Sequence, residues 1–118
     1  MKKILIIEDE SVQQQAYRLK LEKKYQLAFA TTANEVLSNL SPTPDLIILD
    51  VMLPGGKNGF DILQTLKESP KTSNIPVIML TNLGEDEKQT ALDCGATDYF
   101  TKTSTSLGKL ENIIEKYI

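Results

Sequence analysis

Three runs of four aliphatic residues each end on a side chain that can do chemistry: Ile4–Ile7 on Glu8-Asp9, Leu46–Leu49 on Asp50, and Val77–Leu80 on Thr81. Runs this short and this apolar suit strands buried on both faces, the condition of a parallel sheet covered by helices. Parallel strands point one way, so their last residues collect along a single rim. That rim is where open α/β sheets place their sites. Three carboxylates and a hydroxyl are therefore expected in one crevice, a combination that suggests a divalent cation and a phosphoryl group.

Between these runs the hydrophobic period becomes that of helices. Lys3–Ile7 is the first strand. A helix from about Ser11 to Lys23 follows, with Val12, Ala16 and Leu19 on one face and Ser11 with Gln14 spaced as a capping box. Tyr25–Thr31 is a weaker strand. Thr32 and Glu35 repeat the capping-box spacing and open a short helix carrying Val36, Leu37 and Leu40. Ser41-Pro42-Thr43-Pro44 is a rigid connector, and Asp45–Leu49 is the third strand. A loop by composition, Leu53 to Gly59, leads into a helix with Phe60, Leu63 and Leu66. After the fourth strand, Glu85-Asp86-Glu87 suits the positive end of a helix, which closes near Cys94 on Gly95 as a left-handed cap. A short strand, about Thr97–Thr101, precedes a last helix with Leu107, Leu110, Ile113, Ile114 and Tyr117. Gly108 weakens that helix by up to about 1 kcal/mol relative to alanine.

Five strands alternate strictly with five helices. Right-handed crossovers then give an α/β, (βα)5, doubly wound parallel sheet with helices on both faces. A length of 118 residues, with no linker or repeat, predicts one domain over 1–118.

Composition narrows the chemistry. The chain contains no histidine, so no His-based triad or zinc site can belong to it. Net charge is −3 with no cluster of Lys or Arg, which gives direct nucleic-acid binding no electrostatic footprint. The apolar runs are far too short for a membrane span. Met1-Lys2-Lys3 leads straight into a strand, leaving no room for a signal peptide. A lone cysteine, Cys94, fits a reducing cytoplasm.

With Lys102 placed after the fifth strand, the rim set of Glu8, Asp9, Asp50, Thr81 and Lys102 resembles the site of receiver (CheY-like) domains, the phosphoacceptor modules of bacterial two-component response regulators. Asp50 followed by Leu53-Pro54, and Gly95-Ala96-Thr97-Asp98-Tyr99 leading to Lys102, add to the likeness, which covers the whole chain. Taken singly, these residues have bland readings: an acidic helix start, a turn hydroxyl, a solvated lysine. Only the joint pattern is informative.

The resemblance implies the flavodoxin-like strand order 2-1-3-4-5. It implies Asp50 as nucleophile and phosphorylation site, with Thr81 and Lys102 contacting the phosphoryl oxygens. It implies Mg²⁺ held by Asp9, Asp50, Glu8 (directly or through a water) and the backbone carbonyl of Met52. Magnesium takes hard oxygen ligands, usually one or two carboxylates with waters and phosphate. Like charges about 4 Å apart repel by about 4 kcal/mol at an effective dielectric near 20, a conflict the cation would relieve. Thr81 and the aromatic Tyr99 become switch residues, and the surface of the fourth helix, fifth strand and fifth helix becomes the output face. The implied partners are a sensor histidine kinase or a histidine phosphotransfer protein, which must supply the phosphohistidine this chain lacks. A downstream protein target follows, with phosphorylation-dependent dimerisation as one form of output. The expectation is a phosphoacceptor signalling domain rather than an enzyme acting on others, working alone rather than excised from a longer protein.

Three positions depart from the family pattern. Thr103 follows Lys102 where a proline with a cis peptide bond is common, so that peptide is either cis or trans here. Gly59 lies one residue further from Asp50 than usual. Asn82 stands where a small residue is common. Met52 and Leu83 are apolar at positions that tune dephosphorylation, which predicts a long-lived phosphoryl group. Two rivals are an unphosphorylated receiver-like interaction module and a flavodoxin-like cofactor binder. The second needs a Ser/Thr/Gly-rich phosphate loop where this chain has Glu8-Asp9-Glu10.

Overall fold

The computed structural model describes residues 1–50 and 58–118. Its strands are β1 (Lys3–Ile7), β2 (Gln26–Ala30), β3 (Leu46–Leu49), β4 (Val77–Thr81) and β5 (Asp98–Thr101). All pair in parallel, in the order β2-β1-β3-β4-β5, which is the doubly wound order expected. β1, β3 and β4 are buried along their whole length, as the unbroken aliphatic runs require.

Alternation along each strand divides the interior into two layers. Leu5, Ile7, Ile47, Leu49, Val77 and Met79 face one side, where they meet Val36, Leu63, Leu66, Ala91 and Tyr99. Ile4, Ile6, Leu46, Ile48, Ile78 and Leu80 face the other, against Tyr17, Leu21, Leu110, Ile113 and Ile114. Helices α2 (Ala33–Ser38), α3 (Gly59–Glu68) and α4 (Lys88–Asp93) therefore cover the first face. Helices α1 (Ser11–Leu21) and α5 (Leu107–Tyr117) cover the second. No helix among the described residues is long and apolar enough to cross a membrane.

Helix starts follow local side-chain chemistry. Thr32 Oγ1 accepts from the Glu35 backbone N–H at 3.3 Å, the expected cap of α2. The Glu35 carboxylate reaches one residue further back than a standard capping box, to the Thr31 N–H at 2.9 Å and its hydroxyl. α3 opens on a reciprocal Asn58/Asp61 box that an Asn-x-x-Asp spacing announces and the helical periodicity does not. α5 opens on Ser106, whose Oγ accepts from the Lys109 N–H at 3.1 Å. Gly95, at φ 104°, ends α4 in the left-handed region that glycine adopts freely.

Four expectations need correction. α1 does not bury Val12 and Leu19, which are 80% and 74% exposed; Tyr17 and Leu21, both under 2%, pack on the sheet instead. Residues advance about 100° per position around a helix, so the buried stripe lies about half a turn from the expected one, and the larger aromatic wins. Ser11 and Gln14 form no capping box: the N-cap is Glu10, without a side-chain cap, and Gln14 is used elsewhere. Glu85–Glu87 is a single 3-10 turn, and α4 proper begins at Lys88. Leu37 is 62% exposed; with Leu40, Leu66 and Thr72 it lines a groove of about 440 Å³ between α2 and α3.

Candidate functional site

Parallel registry brings the carboxyl ends of β1, β3, β4 and β5 to one rim. Ile7 pairs with Leu49, and the next residue, Asp50, donates its N–H to the Ile7 carbonyl at 3.1 Å. Glu8 donates its N–H to Ala30 at 3.0 Å, which extends β1 by one residue toward the site. Thr81 is aligned with Thr101, so Lys102 leaves the sheet one step beyond. Side chains from Glu8, Asp50, Thr81 and Lys102 thus come from four adjacent strand ends.

Lys102 closes the arrangement. Its ammonium donates to Glu8 Oε1 at 2.5 Å and to Asp50 Oδ2 at 3.0 Å, across 94 and 52 residues of sequence. Glu8 and Asp50 are buried, at 2% and 8% exposure. Asp9 is exposed, yet Glu8, Asp9 and Asp50 each offer a carboxylate oxygen, all within 4.8 Å of one another. Hard oxygen donors converging at this spacing fit a magnesium-like cation. Burial pushes the Glu8 carboxyl above its ordinary value, outweighing the pull of Lys102. Burial pulls Lys102 the other way from its carboxylate contacts, but hydrogen bonds to Glu8 and Asp50 together hold its ammonium well above the ordinary lysine range. Lys102 is therefore cationic throughout the neutral range.

The peptide after Lys102 is trans, since Ser41-Pro42 is the one cis bond among the described residues. The chain then makes a 3-10 turn over Lys102–Ser104. Thr103 in place of proline does not prevent the lysine from reaching Asp50.

Thr81 is fully buried, and its Oγ1 accepts from the Leu83 N–H at 3.3 Å. Leu83 is partly buried and packs against the core. Asn82 is exposed. Tyr99 is turned inward, 1% exposed, with its hydroxyl donating to the Gly84 carbonyl at 2.9 Å. Burial raises its pKa, helped by the negative charges of Glu87, Asp86 and Glu85. Met52, the Leu53-Pro54 pair and the extra loop residue before Gly59 lie outside the described residues or in the segment leading from them.

Two supporting residues escape a reading based on reactive groups. Gln14 Nε2 donates to the Glu8 carbonyl at 2.7 Å. Tyr17, buried beneath α1, feels the charges of Lys102, Glu8 and Asp50, although burial is the larger reason its pKa is raised. The Tyr17/Leu21 spacing of four was the available signal for that buried face.

The arrangement has close parallels among known proteins. Residues 4–115 match the family model described as response regulator receiver domain. A phosphate regulon transcriptional regulatory protein PhoB from Klebsiella pneumoniae is 40% identical over 104 residues, covering 86% of this chain and 45% of that protein. The chain thus spans about half the length of such relatives. The crystal structure of the signal receiver domain of a signal transduction histidine kinase from Syntrophus aciditrophicus is 34% identical. It superposes with a TM-score of 0.86, over 99% of this chain and 89% of that one. The Mn(2+)-bound form of response regulator Rcp1 is 25% identical, with a TM-score of 0.81 over 96% and 89% of the two chains. Shared strand order, near-complete coverage and the family match lead to one conclusion: this chain belongs to the response regulator receiver domain family.

Proposed function

We propose that residues 1–118 act as one receiver unit in which Asp50 accepts a phosphoryl group from a phosphohistidine on a partner kinase or phosphotransfer protein. The observation that carries this reading is the Lys102 ammonium 3.0 Å from Asp50 Oδ2, within the Glu8, Asp9, Asp50 cluster. Asp50 supplies the attacking oxygen. The P–N bond of the donor breaks, its electron pair leaves with the imidazole nitrogen, and an acyl phosphate forms on Asp50. Lys102 places a compact positive charge against the phosphoryl oxygens, and Thr81 offers a hydroxyl from the neighbouring strand end. Catalysis of this kind is mostly positioning and charge stabilisation, so the domain promotes its own phosphorylation and hydrolysis.

Asp9 and Asp50, with Glu8 beside them and the Met52 carbonyl by family resemblance, are the groups that would hold Mg²⁺. When bound, the cation supplies charge neutralisation between carboxylates and phosphoryl oxygens. The Mn(2+)-bound relative supports the same cation class for this chain. The reading places the domain in the cytoplasm, where a kinase draws on ATP. Its downstream partner would meet the surface of α4, β5 and α5, to which Thr81 and Tyr99 connect the site.

Intact mass after incubation with Mg²⁺ and acetyl phosphate tests the proposal. One phosphoryl group is expected on the parent and none on Asp50→Asn. An unchanged mass for both would leave a receiver-shaped interaction module instead.

A further inference from the structure

Leu37, exposed on α2, borders the groove of about 440 Å³ between α2 and α3, whose apolar base is Leu40 and Leu66, both packed into the core. The chain on either side of this groove is tied down. On the α2 side the Lys3 ammonium donates to the carbonyls of Asn39 and Pro42, which flank Leu40. On the α3 side the Thr72 hydroxyl donates to the Leu66 carbonyl, and the N–H groups of Thr72 and Ser73 donate to the Ser69 carbonyl at 3.1 and 2.8 Å. The Lys67 ammonium fixes the end of the same turn, donating to the carbonyls of Ser73 at 3.1 Å and Ile75 at 2.7 Å. Small-molecule sites are usually preformed in this way and enclose about 300–1,000 Å³. The tied segments precede β3 and β4, so the groove lies toward the amino ends of the strands, away from the Asp50 rim.

We propose that this groove binds a small amphiphile with an apolar body and a carboxylate head. Leu37, Leu40 and Leu66 take the body. The head follows from charge: among the described residues lining the groove, Lys71 alone is charged, and its ammonium has no hydrogen bond or ion pair. The hydroxyls of Thr65 and Thr72 already donate to the carbonyls of Asp61 and Leu66. Ser69, two residues before Lys71, and Thr43 on the opposite wall keep theirs for a ligand. A carboxylate can accept from Lys71 and Ser69 together, and hydrogen bonds to an ionised acceptor are the strong ones. The occupant is small because the surface is small. Of the strongly exposed large hydrophobics among the described residues, only Leu37 belongs to α2 or α3, whereas a stable protein interface buries about 800 Å² on each partner. A lysine just past a helix C-terminus also offsets the helix dipole, and an uncharged analogue separates that role from head-group binding. The proposal is independent of the phosphoacceptor reading.

Octanoate is the probe and octanol its uncharged counterpart, each titrated into the full chain with isotope-labelled leucine methyls and followed by NMR. Saturable shifts of the Leu37, Leu40 and Leu66 methyls are expected, with a dissociation constant of about 1 mM or tighter. Leu19, 74% exposed on α1, reports adsorption to apolar surface in general and is expected to stay still. Octanol is expected to bind about threefold more weakly than octanoate, the contribution of one solvent-exposed ion pair. Lys71→Gln is expected to remove that preference, and Leu37→Glu to weaken octanoate about tenfold. Both side chains are exposed, so both variants keep the fold. Unmoved Leu40 and Leu66 methyls at about 10 mM octanoate would overturn the proposal, as would a Leu19 shift of equal size. Equal affinity for octanol and octanoate, or a preference that survives in Lys71→Gln, would overturn the carboxylate head. Leu37 shifts that grow with protein concentration, before any ligand is added, would assign the groove to a second copy of the chain instead.

Discussion

An ammonium drawn out of water needs polar partners, and the partly buried Lys102 finds them in the carboxylates of Glu8 and Asp50. Lys3 is a second case with a different solution: its ammonium donates to two backbone carbonyls, Asn39 at 2.9 Å and Pro42 at 2.7 Å, and ties the connector before β3 to the start of β1. Neither partner set is visible from residue type. The lysines of this chain look alike in the sequence, and only distance in space separates Lys3, Lys67 and Lys102, whose ammonium groups find partners inside the fold, from those in solvent. Glu35 yields a prediction at this scale. Its carboxylate accepts from the Thr31 N–H and hydroxyl, which holds its pKa below the ordinary 4.5. A depressed folded-state pKa stabilises fully above the unfolded value and loses that contribution as pH falls through the folded one. Urea midpoints of the parent and Glu35→Gln are therefore expected to differ above about pH 4.5 and to converge in more acid solution. A constant difference across that window would show that the charge is irrelevant to the cap.

At the scale of elements, α1 carries two apolar stripes on opposite sides, and burial selects the one with Tyr17 and Leu21. Tyr17→Ala is expected to cost about 3–5 kcal/mol and Leu21→Ala about 2–5 kcal/mol, because each leaves a cavity against the sheet. Val12→Ser and Leu19→Ser are expected to stay within about 0.5 kcal/mol, as substitutions on exposed surface do. Chemical denaturation of the four variants checks the ordering, and the reverse order would restore the face read from periodicity. The strands were legible for a simple reason: β1, β3 and β4 are apolar on both faces, so no choice of face had to be made. α1 was not, because its periodicity allowed two answers that differ only in what the sheet presents to them. Glu85–Glu87 failed for a related reason. Acidic residues favour a helix N-terminus of either kind, and that preference does not distinguish an α-helical turn from a 3-10 one.

For the whole molecule, the site is a property of the sheet as a unit. Each rim residue is held at the end of a strand whose neighbours are fixed by parallel registry, so a ligand bound there stabilises every strand at once. Mg²⁺ at about ten times its dissociation constant is expected to add about 1.4 kcal/mol to the unfolding free energy of the parent. Thermal unfolding with and without a chelator measures this as a rise of several degrees. Asp9→Asn is expected to lose most of the increment, and an equal increment in both proteins would place the cation elsewhere. The ion pairs of Lys20 and Lys24 with Glu111, and of Lys24 with Glu115, join α1 and the turn after it to α5 on the far face. Their lysines stand in solvent, and such pairs contribute little by comparison.

The succession of strands and helices and the gathering of Glu8, Asp50 and Thr81 at one rim were legible in the sequence, whereas the strand order and the place of Lys102 came from the family resemblance. Short aliphatic runs alternating with helices suit a covered parallel sheet, and a parallel sheet has one carboxyl edge. Which side of α1 faces inward, that Tyr99 is clasped to the Gly84 carbonyl, and that Glu8 is pinned by its own turn while it holds Lys102 were decided by tertiary structure. Those outcomes depend on angles and distances between elements, and the periodicity of a chain records only which residues share an element.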